Sequence, residues 1–202
     1  MDPNRAPRAA AAGAQDAARA ATLVRARVVA AGTETGYLRT GSGRPILLLA
    51  GGASDEVVAA LLAALRPRGR IVAPELPGAC GVPGSNGSGR PATFNSWLRA
   101  FLEGLGLGSV QVVADEQCAS AVLDFAHEEP GRIERVLVLV DAGRGEGDAG
   151  SPPVVASAGA GRGAALEARL AGCGVPALLA RVAVAAGAPI ALPAEALSFL
   201  GE

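Results

Sequence analysis

Val110-Gln-Val-Val-Ala114-Asp115-Glu116-Gln117-Cys118-Ala-Ser-Ala-Val-Leu-Asp-Phe-Ala126 is the stretch whose reading decides the fold. Val110 to Ala114 is a short apolar run, as a buried strand should be. The chain then turns sharply through Asp115, Glu116 and Gln117. It continues in small and apolar residues that suit a tightly packed helix. The order is strand, elbow, helix.

The segments upstream fit the same architecture. Leu23 to Ala31 alternates Val24, Ala26 and Val28 against Arg25 and Arg27, the pattern of a half-solvated edge strand. Gly32-Thr33 reads as a turn and Thr35 to Thr40 as a second strand. Ile46-Leu-Leu-Leu-Ala50 is apolar throughout, as a strand buried on both faces should be. After Gly51-Gly52-Ala53, Ser54 reads as a helix N-cap. Asp55 and Glu56 fall in the first turn, and Val57 to Leu65 is apolar at helical spacing. Arg70 to Gly78 reads as a further strand and the loop leaving it. A Gly-, Ser- and Pro-rich loop follows from Ala79 to Pro91, and Asn86-Gly87-Ser88 within it is an Asn-Gly turn before it is a glycosylation acceptor. Phe94, Trp97, Leu98, Phe101, Leu102 and Leu105 then form a helical stripe that Gly104 and Gly106 stop.

Downstream, Glu128 to Arg135 leads into a strand over Val136 to Val140, ending in Asp141-Ala142-Gly143. Residues 143 to 163 leave room for a flexible loop, and Ala164 to Ala171 for one short helix. Gly145-Glu-Gly-Asp-Ala-Gly150 matches a dinucleotide fingerprint by letter but runs into Ser-Pro-Pro, so the phosphate-cradling helix is absent. Val182 to Ala186 reads as the last strand and is followed by one further helix.

Composition narrows the classes. The chain has 202 residues and 50% apolar content, enough for one domain over 21–202 behind a flexible Ala/Arg-rich tail over 1–20. The tail reading is preferred to a transit segment. Aromatics make up 3%, so the core is built from Ala, Val and Leu. A net charge of −1 gives nucleic acid nothing to hold. No apolar run reaches a membrane span of ~18 residues. Cys80, Cys118 and Cys173 have no zinc or redox spacing, so no metal or cofactor is expected. A sparse, odd set reads as reduced. With no apolar signal core at the N-terminus, the expected location is cytoplasmic.

Ala114-Asp115-Glu116-Gln117-Cys118 resembles the G-x-S-x-G nucleophile elbow of the α/β-hydrolase family, with Glu116 where the family has its serine. Ala50-Gly51-Gly52-Ala53 resembles the His-Gly turn after an earlier strand, with Ala50 for the histidine. Glu75-Leu76-Pro77-Gly78 resembles the family's Asp-Leu-Pro-Gly loop, and Glu128 to Val136 its link into the sixth strand. The resemblance covers about residues 27 to 143, in order. It implies an α/β architecture: a truncated, capless α/β-hydrolase fold with a mostly parallel sheet flanked by helices. It also implies departures from the family's triad. No carboxylate lies between Arg181 and Glu195, where the acid is expected, and the chain ends before an eighth strand and the histidine loop. The sole histidine, His127, falls about three turns, ~16 Å, from the elbow and reads as a helix-end residue.

The chemistry left to such an elbow is general-base chemistry. Glu116, beside Asp115, is placed to take a proton from an acceptor that attacks an acyl group directly. Partial burial at the elbow is expected to suit it to that work near neutral pH. Backbone N–H groups of Gln117 and of Gly52 or Ala53 are the expected oxyanion donors. Cys118 is the one in-chain nucleophile near the elbow. Asp115, Glu116 and Asp141 sit at carboxyl ends of central strands, where open α/β sheets place ligands, and Glu75 ends the neighbouring strand. The candidate substrate-binding residues are Gly51, Glu75, Trp97, Cys118 and Asp141; Trp97 reads first as core. The truncation and the missing serine are similar to those of the hydrolase-like acyltransferases of thiopeptide (nosiheptide-type) indolyl side-ring biosynthesis. That resemblance implies transfer from an acyl carrier protein or other thioester donor to a peptide or small-molecule thiol or alcohol. The alternative is a catalytically inactive binding or scaffold protein of the same fold. A sheet one strand short also exposes Val182 to Ala186 for pairing with a second copy.

Overall fold

Among the described residues, seven strands hydrogen-bond into one sheet in the order β1-β2-β4-β3-β5-β6-β7. They are β1 (Val24–Ala30), β2 (Thr33–Thr40), β3 (Pro45–Leu49), β4 (Arg70–Pro74), β5 (Val110–Asp115), β6 (Ile133–Asp141) and β7 (Ala177–Val182). β1 pairs antiparallel with β2, and β2 antiparallel with β4; the rest are parallel. The helices are α1 (Asp55–Leu65), α2 (Phe94–Gly104), α3 (Glu116–Glu128), α4 (Arg162–Gly172) and α5 (Ala194–Gly201). The computed structural model describes residues 22–76, 93–141, 162–182 and 190–201. The expected tail, the Ala79 to Pro91 loop with its Asn-Gly turn, the Gly145 to Gly150 fingerprint and the acid-loop segment over 183–189 lie outside them.

Each central strand is buried on both faces, which explains its continuous apolar run. One face carries Leu47, Leu49, Val112, Ala114, Val136 and Val138 against α2, α3 and α4. The other carries Ile46, Leu48, Val113, Leu137 and Leu139 against α1 and α5. Helices on both sides of a mostly parallel sheet are the architecture implied by the elbow. Among the described residues no helix is long and apolar enough to cross a membrane.

Local signals account for most boundaries. The Ser54 hydroxyl accepts the Val57 N–H at 3.5 Å and caps α1. Thr93 caps α2 by accepting the Ser96 N–H at 3.2 Å. The α2 stripe buries Trp97, Leu98, Phe101 and Leu102, and Trp97 stacks on Phe101 at 5.3 Å between centroids. Two boundaries differ from expectation. The β1–β2 hairpin turns on Ala31 and Gly32, both with positive φ (49° and 81°), one residue earlier than expected. Such a two-residue turn matches the twist of the strands it joins. The last strand is Ala177–Val182, overlapping the expected Val182 to Ala186 at one residue. The rest of the expected run, 183–186, lies outside the described residues. Val136 N–H donates to the Pro176 carbonyl at 2.9 Å, which starts the parallel ladder there.

Candidate functional site at the carboxyl edge of the sheet

β5 passes into α3 without an intervening turn: Asp115 ends the strand and Glu116 is the first helical residue. Asp115 is the N-cap, extended at φ −72° and ψ 166°. Its Oδ1 accepts the Cys118 N–H at 2.8 Å, and its Oδ2 accepts the Gly52 N–H at 2.9 Å. One carboxylate thus ties the β5–α3 junction to the turn after β3. Among the described residues Ala31 is the only non-glycine with positive φ, so this junction carries no backbone strain of the kind a nucleophile elbow stores. The expected sharp elbow is therefore corrected to a side-chain-capped helix start. The reason is local, since an Asp at the N-cap satisfies an orphan N–H of the first turn without any unusual torsion.

The same bond removes Gly52 from the expected oxyanion donors, leaving the Ala53 and Gln117 N–H groups of that expectation. Gly52 N–H already donates to a full negative charge and is not free to hold a developing oxyanion. The Gln117 side-chain amide lies directly against Gly52, where a Cβ would meet it. Glu116 and Gln117 are exposed, so the burial expected to suit Glu116 to base chemistry is absent.

Asp115, Glu116, Gln117, Gly52 and Ala53 do meet around one cavity of about 300 Å³. Leu48, Val57, Leu61, Leu139, Val140, Val182 and Ile190 form most of its wall, with Ala50 and Ser54 completing the lining. It lies at the carboxyl ends of β3, β5, β6 and β7, on the α1 side of the sheet. The apolar wall residues were missed as site residues because each reads as ordinary core. Only the sheet order brings residues 48, 139, 182 and 190 together.

Four of the other five candidates lie elsewhere. Gly51 is half-buried in the turn and does not line the cavity. Glu75 is exposed, pairs with Arg25 at 3.1 Å and lies over Gly36 of β2, because its backbone is held by the Gly36 carbonyl at 2.8 Å. Trp97 is fully buried and its Nε1–H donates to the Thr35 hydroxyl at 3.0 Å, so it is core and no ligand platform. Cys118 is fully buried and disulfide-bonded, which removes it as a thiol nucleophile and corrects the expectation of reduced cysteines. Asp141, the fifth, ends β6 beside Val182, and its side chain lies outside the described residues. His127 is exposed in the last turn of α3, at the opposite end of that helix from the cavity. Among the described residues no group of three or more His, Cys, Asp or Glu could hold a metal ion.

No protein-family profile matches the chain, and no curated protein matches it in sequence. Solved structures do. A naproxen esterase from Bacillus subtilis superposes with a TM-score of 0.50 at 16% identity, over 69% of this chain and 50% of that one. The carboxylesterase CesB from Bacillus subtilis gives a TM-score of 0.48 at 20% identity, over 65% and 48% of the two chains. The epoxide hydrolase CorEH gives 0.48 at 22%, over 66% and 47%. The chain spans about half the length of the structures it matches, and likeness at these identities concerns the fold alone. With its seven-stranded, mostly parallel sheet flanked by helices, the chain has the α/β-hydrolase fold.

Proposed function

We propose that this chain binds a small, largely apolar molecule in the cavity at the carboxyl edge and performs no covalent acyl chemistry there. The carrying observation is the Asp115–Gly52 hydrogen bond, which spends one of the expected oxyanion donors on an internal carboxylate. An apolar wall with a few polar groups at one end is the usual make-up of a small-molecule site, and about 300 Å³ is at the low end of the ~300–1,000 Å³ range. The test is mass spectrometry of the protein mixed with acyl-thioester donors, beside NMR titration with small apolar ligands. Saturable shifts at cavity residues without adduct or turnover support the reading; an acyl adduct or transfer overturns it.

A second reading is the acyltransferase. It holds that an acyl group moves from a carrier-protein or other thioester to a thiol or alcohol by direct attack, with Glu116 as base, in natural-product biosynthesis in the cytoplasm. What favours it is that Glu116 and Gln117 line the cavity, so a base stands beside a place for an acyl chain. Transfer to an added thiol without a protein adduct, abolished by Glu116→Gln, is its expected result. Transfer that survives Glu116→Gln removes Glu116 from the role.

A further inference from the structure

We infer that the cavity takes a small organic cation, an ammonium group on a hydrocarbon body, in preference to an anion or a neutral analogue. The inference rests on the binding reading above and adds the ligand class.

The apolar part of the cavity, with Leu61, Leu139 and Ile190 among its wall, offers a hydrocarbon body a place out of water. The polar part has one sign. Its charged members among the described lining residues are Asp115 and Glu116, both acidic, with no arginine beside them. Glu116 is exposed and meets no cation among the described residues. Asp115 accepts one N–H on each oxygen, which leaves lone pairs for further donors.

The two helix N-termini at this edge act the other way, and magnitudes decide between them. Each contributes roughly +0.5 of an elementary charge, about +1 for α1 and α3 together. Against that stand the four carboxylates Asp55, Glu56, Asp115 and Glu116, which begin the same two helices. The balance among these groups is negative, and the apolar walls of the cavity concentrate it. An anionic ligand would also find the Gly52 N–H already taken by Asp115. By contrast, Arg44, Arg66, Arg68, Arg70, Arg132 and Arg135 lie at the amino edge, where β3, β4 and β6 begin; Arg181, in β7 at the carboxyl edge, has its side chain outside the described residues.

The test compares three probes of matched body on the intact protein: hexylamine, hexanol and hexanoate, followed by NMR shift titration at neutral pH. The expected result is hexylammonium binding at least ~10-fold tighter than hexanoate, the scale of one charge-assisted hydrogen bond. Its affinity should weaken as salt is raised. In Glu116→Gln the amine should lose several-fold in affinity while hexanol is unchanged. Hexanol or hexanoate binding as tightly as the amine overturns the cation class and leaves the binding reading standing. If none of the three perturbs cavity residues, both fall. The wild-type comparison alone decides the class, so the outcome does not hang on the variant's folding.

Discussion

The Asp115 carboxylate accepts the Gly52 backbone N–H at 2.9 Å, joining the end of β5 to the turn after β3, 63 residues away in sequence. The same side chain caps α3 through Cys118 N–H. Two jobs in one residue can be separated by substitution. Asp115→Ser keeps an N-cap but is too short to reach Gly52; Asp115→Ala loses both. The cap is worth about 1 kcal/mol. Gly52 is exposed and water can replace its lost acceptor, so the second bond is worth about 0.5–1 kcal/mol. Urea unfolding should therefore rank wild type above Asp115→Ser above Asp115→Ala. Equal stability of the two variants would mean that the Gly52 bond contributes nothing.

Gly52→Ala and Gly41→Ala should differ sharply. A Cβ at Gly52 meets only the end of the Gln117 side chain, which can swing away. A Cβ at Gly41 lands on the Gly69 backbone carbonyl, and Gly41 has φ of 78°. The left-handed backbone alone costs a non-glycine roughly 1–3 kcal/mol. Thermal denaturation should show a small loss for Gly52→Ala, relieved further in Gly52→Ala/Gln117→Ala. Gly41→Ala should lose several times as much.

Trp97→Phe should act on stability and leave ligand binding alone. It removes the donor to the buried Thr35 hydroxyl and thins the stack on Phe101. A loss of ~2 kcal/mol or more is expected, from the unpaired hydroxyl and the space left behind. Probe affinity that falls in step with folded fraction fits this. A selective loss of affinity at full folding would return Trp97 to the site.

The disulfide at Cys118 has a chemical readout. Denaturing alkylation without reductant should label Cys173, which is free, and spare Cys118. Prior reduction should expose Cys118 to the reagent. Labelling of Cys118 without reduction would show the bond absent in the purified protein. Such a bond persists best outside a reducing cytosol.

Much of the frame was legible in the sequence because its signals are local. Ser54 before an apolar helical run caps α1, the Phe94 to Leu102 stripe buries one side of α2, and Ile46 to Leu49 reads as a doubly buried strand. Caps and periodicities depend on residues within a turn or two of one another. The strand over Ala177–Val182 was missed ahead of Val182 for the complementary reason. Ala177 to Val182 is broken by Arg181 and lacks a clean strand signal, and its ladder with β6 is what marks it as a strand.

By itself the sequence determined the order of strands and helices, the direct passage from β5 into a helix and the acidic character of the carboxyl edge. The tertiary structure alone decided what those acids do. A carboxylate's role depends on the donor it meets, and Gly52 comes to Asp115 only because β3 lies beside β5. Glu75, acidic and at a strand end like Asp115, meets Arg25 instead because β4 is flanked by β2 on that side. Likewise, the cavity is a product of sheet order: its apolar wall comes from β3, β6, β7, α1 and Ile190, whose residues carry no mark of a site until they are neighbours.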